Sequence, residues 1–188
     1  MSGHAQTDLL DPFTGRTVGI DNRLIPIIEA LWALDIETSG SCEGHPGFGD
    51  AVICFAEPDS DRFDESPEGW DQPADPESPE FDRWLDAALE WEEKAAPNGA
   101  KQLWRLLFGG DAEDHARETV KFRTATRDGW DFHLDGGGNP GSGLVLPPED
   151  LPRLALALAA KVTAEGRQRV EVRRAMWRLH AQHAGAIP

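Results

Sequence analysis

Between Ile20 and Ala56 the apolar positions change period, and each period names an element. Leu24, Ile27, Ile28, Leu31 and Leu34 recur at steps of three and four, which puts them on one buried face of a helix. Pro26 has no amide hydrogen and fits only near the first turn, so the helix is predicted to start little more than a turn before it, with Asp21 placed to cap it. From Ile36 the period becomes two: Ile36, Thr38 and Cys42 share a strand face. Val52, Ile53, Cys54 and Phe55 form a second, nearly continuous apolar run, the pattern of a strand covered on both sides. Between these strands Gly44, Gly47 and Gly49 supply positive φ, and Pro46 pushes His45 towards extended geometry.

Upstream, DPFTG reads as a turn. Arg16, Val18 and Ile20 then alternate as a short strand, and with the helix as crossover this strand is predicted to lie parallel to the one from Ile36 to Cys42, a βαβ-like start. Residues 1–8 are expected to be disordered. Downstream of Ala56 the pattern stops: the segment 57–79 carries five prolines among dense Asp and Glu, and reads as an exposed acidic insertion that folding can do without. Phe81, Trp84, Leu85, Ala88 and Trp91 restore a helical stripe. Asn98 and Gly99 break it, and a further helical piece runs from Gln102 to Phe108.

The period returns to two at Val120, Phe122 and Thr124 and at Trp130, Phe132 and Leu134, with Arg127 to Gly129 between them as a hairpin turn. A glycine-rich flexible loop, 135–143, leads to a strand at Leu144 to Leu146. Asp150 is placed to cap the next helix, with Pro152 in its first turn and Leu151, Leu154, Leu158 and Val162 on its inner face. In the last helix Val172, Ala175, Met176 and Leu179 are predicted to point inward, beside a run of arginines.

These elements make an α+β single domain: a small mixed sheet with a βαβ-like start, flanked by helices that include two at the C-terminal end. The 188 residues suffice to bury roughly 70% of the unfolded surface in one core. Charge narrows the partners. With 34 acidic against 18 basic residues, the formal net charge of −16 opposes direct binding of nucleic acid or anionic lipid and suits a basic protein partner. No apolar run approaches the ~20 residues that span a bilayer, and the first ten residues lack a signal-peptide pattern, so a soluble, cytoplasmic protein is expected. Two cysteines are no disulfide framework. Pairing the strands about Pro46 and Gly47 offsets Cys42 and Cys54 by some three residues, on the order of 10 Å, beyond the ~7 Å Cα limit for a bridge, so both are expected to be reduced.

Two sets of residues carry candidate chemistry. Asp82, Asp86 and Glu90 recur every four residues, with Glu93 beside them, a row with Cβ atoms ~6 Å apart along one helix face. Such a row can present a phosphate-like ladder to a DNA-binding protein; it serves equally as a solvated face. Cys42, Glu43 and His45 place a thiol, a carboxylate and an imidazole within four residues of a shaped turn. That grouping suits part of a metal site, a thiolate–imidazole pair or an anion nest. The Cys-x-x-His spacing provides two ligands, and Asp131, His133, Cys54 and His115 are the side chains available to complete a set. A buried thiol beside a loop histidine accounts for the same residues with no chemistry. No cofactor is expected, with a metal ion at the turn as the exception to be tested. Gly136, Gly138 and Gly141 satisfy G-x-G-x-x-G, but they lead into a strand where a dinucleotide needs a helix N-terminus. His180 and His183 gain from a helix C-terminus without any metal.

The run LIPIIEALWALDIETSGSCEGHPG, the strand AVICF and the later LVLPPEDLP resemble a group of small bacterial and phage proteins that share a helix, then Gly-Ile-x-Thr, then Ser-Cys-Gln or Ser-Cys-Glu. Asp35 stands where that pattern has glycine. The resemblance implies no activity. The Ser-Cys-Glu-Gly-His stretch is also similar to the Ser-Cys-Ser-Gly-Arg stretch of wybutosine-synthesising tRNA methyltransferases, matched at Ser41, Cys42 and Gly44, although the net charge opposes holding tRNA. Two functions therefore stand: a binding or regulatory module acting through its acidic surface, or an enzyme or metal protein centred on the turn.

Overall fold

Asp128 and Gly129 sit at φ 57° and 82°, the two left-handed positions that a two-residue hairpin of the right twist demands. In the computed structural model, which describes residues 4–44, 49–56, 73, 75, 77–81, 83, 84, 87, 98–118, 123–134 and 142–183, they join β6 (Arg123–Arg127) to β7 (Trp130–His133) with Thr124 opposite His133. β5 (Ala116–Glu118) pairs on the outer side of β6. On the other side follow β8 (Gly143–Leu146), β4 (Ala51–Phe55) and β3 (Thr38–Cys42). The six strands run in the order β3-β4-β8-β7-β6-β5, each antiparallel to its neighbour.

Alternation assigns the two faces of this sheet. Ala51, Ile53 and Phe55 of β4, Leu144 and Leu146 of β8, Trp130 and Phe132 of β7 and Ala125 of β6 are buried. They join one cluster with the apolar sides of α1 (Ile25–Ala33), α2 (Gly99–Phe108) and α3 (Leu151–Ala159). α2 starts where Asn98 accepts hydrogen bonds from the amides of Ala100 and Lys101 and donates one to Leu134 O at 2.7 Å. Its Trp104 stands edge-on to Phe132 with centroids 5.2 Å apart. The opposite sheet face carries Cys42, Val52, Val145, Asp131 and Thr126 in one row across five strands.

α1 matches its sequence pattern: Leu24, Ile27, Ile28 and Leu31 are fully buried, and Pro26 lies in the first turn. Its end is a Schellman turn, in which Ile36 N donates to Leu31 O at 2.9 Å and Asp35 N to Trp32 O at 3.1 Å. Asp35 takes φ 66° there, the conformation that favours the glycine of the resembling pattern. α3 also follows its spacing, with Leu151, Leu154 and Leu158 buried.

Four expectations need correcting. The strand after DPFTG, β2 (Thr17–Asp21), is not a parallel neighbour of β3; it pairs antiparallel with β1 (Gln6–Leu10) in a separate two-stranded sheet. Asp11 closes that hairpin by accepting from Phe13 N and Thr14 Oγ1, so β1 takes the edge that a βαβ unit would have used. There is thus no mixed sheet among the described residues. Residues 6–8 of the stretch expected to be disordered belong to β1, which is mostly exposed and so shows no apolar alternation. Neither Asp21 nor Asp150 caps a helix with its side chain; Asp150 accepts from Trp130 Nε1 at 2.8 Å instead.

The fourth correction is the last helix, α4 (Ala164–His183). Gly166, Val170 and Arg174 face the body, while Val172, Ala175, Met176 and Leu179 are exposed. Gly166 allows the close approach: a Cβ there would lie 2.3 Å from Ala33 O. Arg174 then reaches Leu10 O at 2.8 Å and stacks over Trp32, and Trp177 donates to Pro12 O at 3.1 Å. Those contacts, with the close approach at Gly166, turn the aliphatic stripe outward. Residues 57–72, 74 and 76 of the acidic insertion, Leu85, Ala88 and Trp91 of the stripe after it, Val120 and Phe122 of the next alternating run, and 135–141 of the glycine-rich loop lie outside the described residues. Among the described residues no helix is long and apolar enough to cross a membrane.

Candidate functional site

Three strand ends meet beside the edge of the large sheet. His4 precedes β1, Asp21 ends β2 and Cys42 ends β3, and one donor atom from each lies within 4.8 Å of the other two. The hairpin register makes this meeting: Gln6 is opposite Asp21, and Asn22 N donates to Ala5 O at 2.9 Å, so His4 is carried alongside the end of β2. Gly44 follows at φ 76°, where a Cβ would lie 2.7 Å from Gly49 O; the turn after Cys42 therefore requires glycine.

Glu43 ties the group together. Its Oε1 is 2.6 Å from His4 Nδ1, its Oε2 accepts from Arg23 N at 3.3 Å, and its own amide donates to Asp21 Oδ2 at 3.0 Å. Asp21, only 3% exposed, also accepts from Gln6 Nε2 at 2.9 Å. Arg23 contributes its amide, and its guanidinium donates to Pro148 O at 2.7 Å. Two carboxylates and a thiol thus surround one imidazole, and Asp21 is held by neutral donors. Two carboxylates beside a single imidazole in a half-buried place make a setting that a divalent cation can offset.

The donor set is one imidazole nitrogen, one sulfur and carboxylate oxygen, which Zn²⁺ accepts in a tetrahedral arrangement. Donors on one such ion stand about 3.3–3.8 Å apart, given bond lengths of about 2.0–2.3 Å. A spread of up to 4.8 Å closes to that with side-chain movements of about 1 Å. The contact of Glu43 with His4 is of the carboxylate–histidine kind that orients metal-bound imidazoles.

Of the residues singled out by sequence, Cys42 and Glu43 belong to this cluster. His45, and the row Asp82, Asp86, Glu90 and Glu93, lie outside the described residues. Asp131 and His133 do not join Cys42. Asp131 shares its row but stands three strands away, about 14 Å at ~4.8 Å per strand, and accepts from Thr126 Oγ1 at 2.6 Å. His133 lies in the next row, beside Thr124. His115 packs against Trp104 with centroids 5.3 Å apart. Cys54 is opposite Gly40 and Cys42 opposite Val52, so the offset between the cysteines is two residues, one fewer than the sequence suggests, because Cys42 pairs with Val52 and not with Ala51. Both thiols are free, and burial pushes the Cys54 thiol up. His4 and Asp21 are the members of this cluster that sequence reasoning missed. Their signal was the DPFTG turn, which predicts a hairpin once a partner strand is sought before it.

Among the described residues this is the one place where three such groups converge. No protein family, curated protein or solved structure matches the chain, so the reading of the site rests on its geometry.

Proposed function

We propose that this protein binds a divalent transition metal, Zn²⁺ by donor chemistry, through His4, Asp21 and Cys42, with Glu43 orienting His4. One observation carries this reading: donors of metal-ligand type from three separate strand ends converge within 4.8 Å, with a second carboxylate, that of Glu43, on the imidazole. The ligands come from both sheets, so the ion would fasten the β1–β2 hairpin to the edge of the six-stranded sheet. Binding would then count as folding energy, about 2.7 kcal/mol at a metal concentration 100 times the Kd. Cys42 makes the site soft enough to prefer Zn²⁺ over Mg²⁺ or Ca²⁺.

The test is native mass spectrometry with elemental analysis of freshly purified protein, followed by Zn²⁺ titration against a competing chelator. One equivalent is expected, abolished by Cys42→Ala and by His4→Ala and retained in Asp131→Ala with His133→Ala. Thermal midpoints should rise with Zn²⁺ in the parent and stay level in Cys42→Ala. Retention of the same equivalent after Cys42→Ala, or no metal and no midpoint shift in the parent, would reject the assignment.

A further inference from the structure

The β1–β2 hairpin is tied down at both of its ends. Its strands bring little apolar anchorage: Ile20 is buried, but Leu9, Leu10 and Val18 are only partly so. At the open end Glu43 reaches both strands, its carboxylate meeting His4 before β1 and its amide donating to Asp21 at the close of β2. The turn end lies about 20 Å away, six residues on from His4 at ~3.4 Å each, and there the partner is α4. Arg174 Nε donates to Leu10 O at 2.8 Å, Trp177 Nε1 donates to Pro12 O at 3.1 Å, and the Arg173 guanidinium stands 4.8 Å from the centroid of the Phe13 ring. Gly15, at φ 70°, lets the indole of Trp177 lie against the turn, because a Cβ there would be 2.4 Å from Trp177 Cδ2.

We propose that the hairpin couples the metal site to α4: an ion held by His4, Asp21 and Cys42 tightens the seating of the half of α4 that carries Arg174 and Trp177, and release of the ion loosens it. The inference rests on the metal reading above and adds a response at the far side of the hairpin. An ion shared with Cys42 pins the open end to β3 and restricts how the hairpin can tilt. The pairing from Gln6–Asp21 to Leu10–Thr17 runs without a break, so the restriction carries to the turn on which α4 rests. The first turns of α4 are held separately, by the approach of Gly166 to Ala33 O and the bond from Arg169 to the same oxygen. The effect therefore falls on the later turns. Coupling between two sites is reciprocal: what the ion does for the seating of α4, the seating of α4 does for the affinity of the ion.

Both directions are open to measurement on the full chain. Hydrogen–deuterium exchange read by mass spectrometry, with Zn²⁺ and with chelator, is expected to slow more in 173–183 than in α2 when the ion is present. Zn²⁺ titration against a competing chelator is expected to show Trp177→Ala binding at least about fivefold more weakly than the parent. Asn98→Ala, weakened at the start of α2, should keep the parent's affinity, which separates coupling from general stability. Trp177 is 38% exposed, so its variant should fold, as circular dichroism will check; if it does not, the exchange of the parent decides alone. No Zn²⁺ on the parent would reject the metal reading and this inference with it. Zn²⁺ bound while exchange in 173–183 is unchanged, or slowed only as much as in α2, would overturn the coupling and leave the metal reading standing. So would equal affinity in Trp177→Ala, or the same loss in Asn98→Ala.

Discussion

Replacing Gly166 by alanine tests how α4 is seated. The new Cβ would lie 2.3 Å from Ala33 O and 3.2 Å from Ala33 C. Carbon–oxygen contacts in proteins settle at about 3.3–3.6 Å, so the first turn of α4 must withdraw by about 1 Å. Ala33 O is a backbone atom at the end of α1 that also faces the Arg169 guanidinium at 3.4 Å, and it cannot swing aside as a side chain would. Withdrawal loosens Val170 and Arg174, the residues through which α4 meets α1 and the β1–β2 hairpin. Overpacking of this kind costs about 1–3 kcal/mol. Alanine returns up to about 1 kcal/mol of helix propensity, and less in a first turn. The net expectation is a loss of about 1–2 kcal/mol, or about 2–8 °C in Tm for a chain of this size. Urea titration followed by tryptophan fluorescence measures it, with Gly40→Ala as the control, because a Cβ at Gly40 meets nothing within 4 Å. If Gly166→Ala unfolds at the same or a higher urea concentration with unchanged slope, the close approach of α4 to α1 is not as described.

Asp35→Gly relieves a left-handed residue, worth about 1–2 kcal/mol, and gives up an exposed ion pair with Arg173 worth about 0.2–1 kcal/mol; thermal melts should show a midpoint equal to or above the parent's, and a clear drop would mean that the Arg173 contact matters more. Asn98→Ala removes the cap of α2 and the bond to Leu134 O, so denaturant unfolding should record a loss of about 1–2 kcal/mol; a change within error would count against that cap. In a Cys42→Ala background, iodoacetamide should modify Cys54 more slowly than a free thiol, with its pH profile displaced upward, because burial disfavours the thiolate. The same raised pKa favours the folded state below the unfolded thiol range of about 8.5, and that contribution is lost as pH rises through the higher folded value. A profile matching a free thiol would contradict the burial.

The sequence by itself determined the elements whose apolar contrast is strong and local. The spacing of Leu24, Ile27, Ile28 and Leu31 with Pro26 defines α1, and Asp128–Gly129 between alternating runs defines the β6–β7 hairpin, because both patterns are read from residues a few positions apart. The α+β class follows from the same signals. Only the tertiary structure decided which strands pair and which face of α4 turns inward. β2 could satisfy its edge with β3 or β1, and the choice fell to β1, a strand with little apolar signal, through the Asp11 turn. α4 carries two rival stripes, and Gly166, Arg174 and Trp177 won against Val172, Met176 and Leu179 because the close backbone approach and the bonds to Leu10 O and Pro12 O exist only once α1 and the hairpin are in place. For the same reason the candidate site was half legible. Cys42 and Glu43 stand out beside a glycine turn, but His4 and Asp21 reach them through a register between distant strands, which periodicity along the chain does not encode.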